Sequence, residues 1–434
     1  MSDLEKIYRL YLKCNQNITI DSRSPNIKNS IFFGIKGSNF DGNLFAEQAI
    51  ENGASFAVLN TKKISQNKKF IYVPDTLKTL QRIAHLHRNN FAIPIVAITG
   101  TNGKTTTKEI LNALISSECN TCSTKGNLNN HIGVPLTLLK LSKKHKIGIL
   151  ELGANHSGEI GSLCEIINPT HGMITNIGEA HLKGFGSIQN ILKTKSELYH
   201  YLKKNHGTIF VDKNNKDLKK IAGDYKKIHF YDSIKLDSNL KNNNIFECNP
   251  FIKLCWENKK IQTKIIGDYN INNILAAISI AVYFNIKESS IINSLKKLEL
   301  KNNRSEFIQT KKNTIILDAY NANPTSVTFA IKNFIKSRLK SDKKALIILG
   351  DMLELGRDSN LYHQRIVDLL EKSNIKNCML IGPLFKKTKS PKGYLKTSTL
   401  SGCKTILKKQ PVKNANILIK GSRKMKLEEI LQLL

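Results

Sequence analysis

The chain of 434 residues lacks a long hydrophobic run. Its longest apolar stretch, ILAAISIAVYF at 274–284, is shorter than the roughly 20 residues that a transmembrane helix needs and is typical of a buried helix. The first residues, MSDLEKIYRLYLKC, lack the apolar core of a secretory signal peptide. These absences predict a soluble, cytoplasmic protein without a membrane span.

The eight cysteines lack the spacing of a disulfide framework or a zinc site. Cys119 and Cys122 form one C-x-x-C pair, and no second pair follows at zinc-ribbon spacing. The pattern therefore predicts reduced thiols.

Acidic residues are half as numerous as basic ones. The sequence has 34 Asp plus Glu against 67 Lys plus Arg, which gives a formal charge of +33. An excess of this size is one signature of nucleic-acid binding. The basic residues are scattered in short pairs without interleaved aromatics, so we expect no nucleic-acid partner. The charge should still draw a polyanionic substrate to the surface.

The length predicts about three domains, and the hydrophobic pattern divides into blocks at 1–92, 93–303 and 304–434. Uniformly apolar strands alternate with helices, which predicts an α/β fold with parallel sheets covered on both faces. The predicted strands lie at 30–33, 55–59, 70–73, 95–98, 147–150, 172–175, 208–211, 228–231, 314–317, 345–349, 378–381 and 416–419.

Other segments mark the limits of these blocks. Helices are predicted at 43–52 and 77–88 in the first block, and the buried helix at 271–284 is expected to close the second. The polar stretch at 237–249 is interpreted as a surface excursion, and 298–306 as a linker.

The stretch VAITGTNGKTTTKE at 96–109 predicts a phosphate-binding turn between a strand and a helix. Its first glycine lies only three residues before Gly103, whereas the common P-loop has five. Backbone amides in such a turn face bound phosphate. We expect Lys104 to meet the β and γ oxygens and the Thr105 hydroxyl to bind Mg²⁺. The whole predicted ATP-binding turn comprises Gly100, Thr101, Asn102, Gly103, Lys104, Thr105 and Thr106.

Two further polar residues follow predicted strands. Glu151 ends the run GILE, and His181 comes shortly after the strand at 172–175. Ligands bind at the carboxyl ends of parallel strands, so both residues are candidates for holding Mg²⁺, directly or through water. Taken singly, each is more typical of a surface group or a satisfied core group.

Several segments together resemble the Mur ligases of peptidoglycan synthesis, which are three-domain, ATP-driven amide-forming enzymes. The resemblance covers almost the whole chain. Two of the segments, LGDMLELG at 349–356 and KGSR at 420–423, resemble the branch that adds D-alanyl-D-alanine to a UDP-N-acetylmuramoyl tripeptide. The others are DSR at 21–23, KGSNFDG at 36–42, GTNGKTT at 100–106, GNLNNHIGVPLT at 126–137, ELGAN at 151–155, GEAHL at 178–182 and DAYNANP at 318–324.

The resemblance implies three domains and their ligands. These are an N-terminal uridine-nucleotide-binding α/β domain, a central P-loop ATPase with a parallel sheet, and a C-terminal Rossmann-like α/β domain. ATP and Mg²⁺ are the implied cofactors, and we expect a monomer. The residues implied to hold the UDP substrate are Ser22, Arg23, Lys36 and Asp41.

The resemblance also implies roles in catalysis and ATP binding. Lys104, Thr105, Glu151 and His181 are implied to act on phosphate and Mg²⁺. Lys195 matches a lysine that takes up CO₂ in this family and, as a carbamate, binds Mg²⁺. Without the family, it would be interpreted as an exposed helix lysine. The remaining implied residues are Asn270, Asn273, Arg304 and Asp318 for ATP, with Asn321 and Asn323 on the D-alanyl-D-alanine side.

The motif GDYNINN at 267–273 departs from the family at one position, because Tyr269 replaces the usual His. Asn270 and Asn273 would otherwise be interpreted as helix-capping residues. Two other functions stay open: a folylpolyglutamate synthase, whose pattern lacks the DSR and LGDMLELG segments, and a basic P-loop ATPase that binds nucleic acid. Diaminopimelate and lysine are both open as the third residue of the tripeptide.

Overall fold

The computed structural model describes residues 2–61, 67–180, 182–232, 245–248, 250–300, 303–338 and 343–434. Within these ranges no helix combines the length and the apolar character needed to cross a bilayer. The eight cysteines all lie in these ranges and none is in a disulfide, as expected. The α/β architecture with parallel sheets is confirmed.

The first block contains a four-stranded parallel sheet in the order β1-β2-β3-β4. Its core strands β2 and β3 are apolar and buried, as the sequence predicts. The elements are α1 (Asp3–Lys13), β1 (Ile18–Thr19), β2 (Ile31–Phe33), α2 (Ala46–Glu51), β3 (Phe56–Leu59), β4 (Phe70–Tyr72) and α3 (Thr76–Arg88).

The central sheet is six-stranded and wholly parallel, in the order β10-β9-β8-β5-β7-β6. The strands β5 and β7 are buried at every position, which explains why their sequences are apolar up to the last residue of each, Thr99 and Glu151. The elements are β5 (Ile95–Thr99), α4 (Lys104–Ile115), β6 (Thr121–Ser123), α5 (Gly133–Leu138), β7 (Ile147–Glu151), α6 (Glu159–Ile167), β8 (His171–Ile174), α7 (Leu182–Phe185), α8 (Ile188–Lys204), β9 (Thr208–Asp212), α9 (Lys216–Ala222) and β10 (Ile228–Tyr231).

An antiparallel three-stranded sheet follows, which the sequence interpretation missed. It consists of β11 (Ile245–Cys248), β12 (Phe251–Trp256) and β13 (Lys259–Ile266). Of the segment at 237–249 that was interpreted as a surface excursion, 245–248 forms the edge strand of this sheet, whereas 237–244 and 249 lie outside the described residues. Glu257 and Asn258 join β12 to β13 with φ of 49° and 58°, the backbone of a tight hairpin turn.

Two helices complete the central block, not one. The expected buried helix is α10 (Ile271–Tyr283), and α11 (Glu288–Lys297) follows it. The prediction that the first of these closes the block is thus wrong. The second helix is amphipathic and buries Ile291, Ile292 and Leu295, so its apolar face belongs to the same core.

The last block contains a six-stranded sheet in the order β14-β15-β19-β16-β17-β18, in which β14 alone pairs antiparallel among the described strands. The short edge strands β14 and β18 escaped prediction. The elements are β14 (Glu306–Gln309), β15 (Asn313–Asp318), α12 (Pro324–Arg338), β16 (Lys344–Gly350), α13 (Ser359–Lys372), β17 (Cys378–Ile381), α14 (Pro383–Lys386), β18 (Leu395–Thr397), α15 (Leu400–Lys409) and β19 (Ala415–Lys420).

The first two sheets share one hydrophobic core. Buried side chains of α1 and α3 belong to the same apolar cluster as those of α5 and α6. Polar contacts reinforce this interface, since Tyr11 donates its hydroxyl to the carbonyl of Leu139 and His87 bonds the carbonyl of Leu141 at 2.9 Å. The N-terminal sheet is therefore held firmly beside the central one.

Candidate active site

The turn between β5 and α4 has the geometry of a phosphate-binding loop. Gly100 and Gly103 have φ of 139° and 80°, values that side-chain-bearing residues rarely adopt. A Cβ at Gly100 would collide with Thr175 Oγ1, and one at Gly103 with the Asn273 carboxamide. The first turn of α4 leaves its amides without intrahelical acceptors, so a short glycine loop and a helix start meet here as predicted.

Lys104 does not extend into solvent. Its ammonium donates to the carbonyls of Gly100 at 2.8 Å and Thr101 at 3.0 Å. Burial lowers the pKa of Lys104, and Arg304 adds to the effect while Glu151 opposes it. The cation is thus held at the loop.

Asn102 carries an unsatisfied donor. Its Nδ2 is buried and has no hydrogen-bond partner, while its Oδ1 accepts from Asn323 Nδ2 at 2.8 Å. Native structures rarely leave such a group unpaired. The side chain is therefore oriented by Asn323, which precedes α12, and leaves both N–H groups of its amide free in the loop. Thr101 and Thr106, in the same loop, line the large cavity beside it, which is described below.

Glu151 and Thr105 form an oxygen pair under this loop. The carboxylate of Glu151 is 1% exposed and accepts from Thr105 Oγ1 and Asn129 Nδ2, both at 2.7 Å. Because β7 lies next to β5, the sheet delivers both groups to one edge, as predicted. His181 lies outside the described residues.

Lys195 is buried, with 3% of its surface exposed. The interpretation as an exposed helix lysine is therefore wrong. Burial lowers the pKa of its amine to about 7, and the charge of Lys104 adds to the effect. The amine lies 5.6 Å from the ring centre of Phe185, and Lys193 on the same helix is exposed.

Asn270 and Asn273 bind each other and the phosphate-loop helix. Asn273 donates to Asn270 Oδ1 at 2.9 Å and accepts from Thr107 Oγ1 at 3.1 Å, while Asn270 donates to the carbonyl of Ile266 at 2.8 Å. Asn270 precedes α10 without a side-chain cap. The capping interpretation is therefore wrong, and the pair fixes α10 against α4.

Tyr269, which stands where the family usually has a histidine, contacts the linker at 298–306. Its hydroxyl lies 2.7 Å from Ser305 Oγ. Its ring leaves no room for a side chain at Gly267, whose φ is 86°. The aromatic ring is thus built into the turn that precedes α10.

The linker and the C-terminal sheet contribute the opposite wall. The guanidinium of Arg304 lies 3.7 Å from the ring centre of Tyr320. Asp318 accepts from Lys420 Nζ at 2.7 Å, and the same ammonium donates to the carbonyl of Asn321 at 3.0 Å. With the phosphate loop, these residues line one cavity of about 1730 Å³, which is larger than most small-molecule pockets.

The four residues assigned to the UDP substrate do not line this cavity. Ser22 is buried and donates to Gln48 Oε1 at 2.8 Å. Arg23 forms an exposed surface ion pair with Asp21 at 3.2 Å. Lys36 pairs with Asp41 at 3.8 Å. The pKa of Asp41 is lowered, chiefly by hydrogen bonds from Asn43.

Several residues that make contacts at this cavity were not predicted as site residues from the sequence. Asn129 and Arg423 fall inside segments that resemble the family, but their composition alone gave no reason to single them out. Tyr320 and Lys420 also fall inside such segments, at 318–324 and 420–423, but their ring and ion-pair contacts join parts of the chain that are distant in sequence.

Comparisons with known proteins agree with this geometry. Residues 98–281 match the Mur ligase middle domain, and residues 303–421 match the Mur ligase, glutamate ligase domain. A UDP-N-acetylmuramoyl-tripeptide–D-alanyl-D-alanine ligase of Buchnera aphidicola subsp. Baizongia pistaciae is 37% identical over 96% of this chain and 91% of its own. The enzyme of the same name from Bacillus subtilis is 33% identical over 93% and 90%.

A solved structure agrees over the full length. The MurF ligase of Thermotoga maritima, in complex with ADP, superposes with a TM-score of 0.82 at 25% identity, covering 100% of this chain and 98% of its own. The chain therefore belongs to the Mur ligase family, among the relatives of UDP-N-acetylmuramoyl-tripeptide–D-alanyl-D-alanine ligase.

Proposed function

We propose that the chain joins D-alanyl-D-alanine to a UDP-N-acetylmuramoyl tripeptide in the cytoplasm, with ATP converted to ADP and phosphate. The observation that carries this proposal is the buried, unpaired Asn102 Nδ2 in a cavity shared by the phosphate loop, the linker and the C-terminal sheet. A nucleotide phosphate supplies the acceptor that this donor lacks. The names of the relatives supply the substrates.

The reaction follows from the chemistry of a carboxylate. The tripeptide carboxylate attacks the γ-phosphorus of ATP, and the bond to the bridging oxygen breaks to release ADP and leave an acyl phosphate. The amine of D-alanyl-D-alanine then attacks the acyl carbon, phosphate departs with the C–O electron pair, and the amine loses a proton. Negative charge gathers at one centre in both steps, so nearby cations and amides stabilise the transition states.

The residues of the loop are suited to this task. Lys104 sits on two loop carbonyls, from which it can transfer its hydrogen bonds to phosphate oxygens. Gly100, Thr101, Gly103 and Thr106 shape the turn that presents backbone amides. Arg304 adds a second cation near Lys104, and Asp318, Asn270 and Asn273 order the walls on the nucleotide side.

The oxygen pair fits Mg²⁺. Thr105 and Glu151 would hold it, because both are hard oxygen donors and Glu151 is a buried carboxylate. Mg²⁺ usually keeps water and phosphate oxygens beside one or two carboxylates, which agrees with the absence, among the described residues, of a cluster of three or more His, Cys, Asp or Glu. A bound Mg²⁺ would supply positive charge to the phosphates. His181 and a carbamate on Lys195 are further proposed ligands.

We assign the remaining roles by block. Residues 1–92 would bind the uridine nucleotide through Ser22, Arg23, Lys36 and Asp41. Residues 93–303 would carry ATP chemistry. Residues 304–434 would bind the dipeptide, with Asn321 and Asn323 beside its amine. The protein would act as a monomer.

The direct test is phosphate release from ATP with candidate acceptors. We expect release only when the UDP-tripeptide and D-alanyl-D-alanine are both present. Release with a folate and glutamate, or stimulation by single-stranded nucleic acid, would contradict the proposal. Lys104→Ala should abolish ligation without unfolding, while Lys143→Ala, at an exposed position, should match the parent enzyme.

A further inference from the structure

Six Lys and Arg side chains and seven Asp and Glu side chains line the cavity, and the basic ones differ in whether they have partners. Three of its lysines have partners, because Lys104 binds loop carbonyls, Lys336 pairs with Asp268 at 2.8 Å and Lys420 with Asp318 at 2.7 Å. The remaining Lys and Arg side chains form no ion pair or hydrogen bond with any residue that the structure describes. These are Arg304, Lys332 and Arg423.

The three cations without an ion pair or hydrogen bond differ in their other neighbours. Arg304 is close enough to Lys104 to influence its titration, which places it toward the phosphate loop. Lys332 lies one turn before Lys336 on α12, and Lys336 reaches Asp268 in the turn before α10, so this helix face looks toward the nucleotide side. Arg423 shares the Tyr320 ring with Arg304, whose guanidinium is 3.7 Å from the ring centre.

Arg423 lies on the C-terminal sheet, just past the end of β19. The neighbouring strand β15 leads into the segment that contains Tyr320 and Asn321. The guanidinium of Arg423 is 5.0 Å from the ring centre of Tyr320, and Lys420 bonds the carbonyl of Asn321. The exposed arginine therefore shares the wall of the cavity that we assign to the dipeptide.

The backbone that carries Arg423 is fixed by the segment at 349–356. Ser422 Oγ accepts the N–H of Leu353 at 3.0 Å. A Cβ on Gly421 would stand 2.6 Å from Leu427 Cδ1 and 3.1 Å from the Cα of Gly350, so glycine at 421 lets the two segments approach closely. The two segments at 349–356 and 420–423 thus pack against each other and fix the backbone that carries the Arg423 guanidinium. Neither segment has a role in the reaction proposed above.

We propose that Arg423 is a specificity residue that binds the free C-terminal carboxylate of the incoming dipeptide. This inference rests on the proposed function. The dipeptide must leave its amine free to attack, so its carboxylate is the charged group available for binding. A guanidinium matches a carboxylate with two parallel hydrogen bonds, and the Tyr320 ring supports the cation from beside it.

The test compares D-alanyl-D-alanine with its C-terminal amide in the full-length enzyme. The parent should prefer the free acid, and Arg423→Gln should lose this preference as its KM for the acid rises about tenfold or more. KM values for ATP and the UDP-tripeptide should stay within about twofold in this variant, since their contacts lie elsewhere. Arg423→Lys, which keeps the charge without the fork, should fall between.

Lys424→Gln is the matched control, because it removes the neighbouring exposed charge outside the cavity. It should behave as the parent. A variant Arg423→Gln that still discriminates acid from amide would overturn the inference, as would a rise in KM for ATP or the UDP-tripeptide instead. If the parent enzyme does not ligate D-alanyl-D-alanine at all, the proposed function fails first, and the two failures are distinguishable.

Discussion

At Lys195, burial and a neighbouring charge act in the same direction on one amine. Both lower its pKa, to about 7, so a large fraction of the amine is neutral near neutrality. A neutral amine adds CO₂ with loss of a proton and becomes a carbamate, an anion with two oxygens. Such a group suits Mg²⁺ far better than an ammonium does.

We therefore predict that Lys195→Ala loses about 100-fold or more in ligation rate. Acetate or formate should restore part of it by filling the space of the carbamate, whereas Lys195→Glu, being shorter, should be a poorer substitute. The measurement is activity against added carboxylate, with chloride at matched ionic strength. Lys193→Ala, exposed on the same helix, is the control, and a Lys195→Ala enzyme with full activity and no added acid would refute the carbamate.

Single residues show how far the sequence reaches. The turn between a strand and a helix at 95–115 was predicted correctly, because glycine, lysine and threonine at that spacing are typical of a phosphate-binding turn. The burial of Lys195 was not evident from the residues alone, since a lysine in a helix is usually exposed. Its environment comes from Phe185 and the surrounding elements, and these meet only in the folded chain.

At the scale of the element, the phosphate loop packs closely against α10 because Gly103 has no side chain. Gly103 combines a φ of 80° with direct contact to the Asn273 carboxamide. We predict that Gly103→Ala raises the KM for ATP by about tenfold or more, because both strain and overlap displace the loop. Steady-state kinetics with varied ATP measures this change.

Gly186→Ala separates the two causes. Gly186 has a φ of 75° but nothing within 4 Å of an added Cβ, so alanine there carries the backbone strain alone. It should lower the free energy of unfolding by about 1–2 kcal/mol and leave the KM for ATP unchanged. Equal KM values for Gly103→Ala and the parent would show that the loop tolerates the overlap.

His171 links β8 to α10 through aromatic contacts, with ring centres 5.4 Å from Tyr283 and 5.0 Å from Phe284. Burial lowers its pKa from 6.5 to about 4. The unfolded chain then binds this proton more tightly, so the stability from neutral His171 is fully present above pH 6.5 and is lost as the pH falls toward 4.

We predict that His171→Phe flattens this acid dependence by on the order of 2–3 kcal/mol between pH 7 and 4. Urea unfolding at a series of pH values measures the free energy directly. His200→Phe, at an exposed position, should retain the slope of the parent. An unchanged slope in His171→Phe would place the acid sensitivity in other groups.

Apolar content, more than length, made strands predictable, since the three-residue β4 was predicted and the eight-residue β13 was missed. The buried parallel strands carry uniform apolar runs, so they were found. Edge strands of three or four residues, such as β6, β14 and β18, bury too little to leave a pattern. Buried and exposed side chains alternate along β13, a pattern typical of an antiparallel strand with one solvated face, whereas the parallel strands are apolar throughout.

At the scale of the whole molecule, polar contacts join the C-terminal block to the central one, and one of them reaches the phosphate loop. Asn323 reaches Asn102 across 221 residues of sequence, and the N–H of Lys183 reaches the carbonyl of Glu354 at 3.1 Å. The sequence predicts separate blocks, because each has its own hydrophobic pattern. It does not predict these contacts, because they depend on how the linker sets one block against another.

The linker itself is held in an uncommon conformation. Asn303 and Ser305 have φ of 58° and 50° on either side of Arg304, and non-glycine residues seldom adopt such values in succession. The hydroxyl of Tyr269 meets Ser305 Oγ at 2.7 Å. This hydrogen bond ties the nucleotide-side turn to the linker and offsets part of the backbone strain.

Tyr269→Phe should therefore loosen the linker while keeping the ring. A neutral hydrogen bond contributes about 1 kcal/mol, so amide exchange in the linker should accelerate about fivefold. The ligation rate should fall, while the KM for ATP should change little. Hydrogen exchange followed by mass spectrometry measures the first effect. Tyr283→Phe, which removes a hydroxyl bonded to Thr208 far from the linker, is the control.

Ser305→Ala should reproduce the effect of Tyr269→Phe, and the double variant should add nothing further. Additive losses in the double variant would mean that the two side chains act separately and that the bond does not hold the linker.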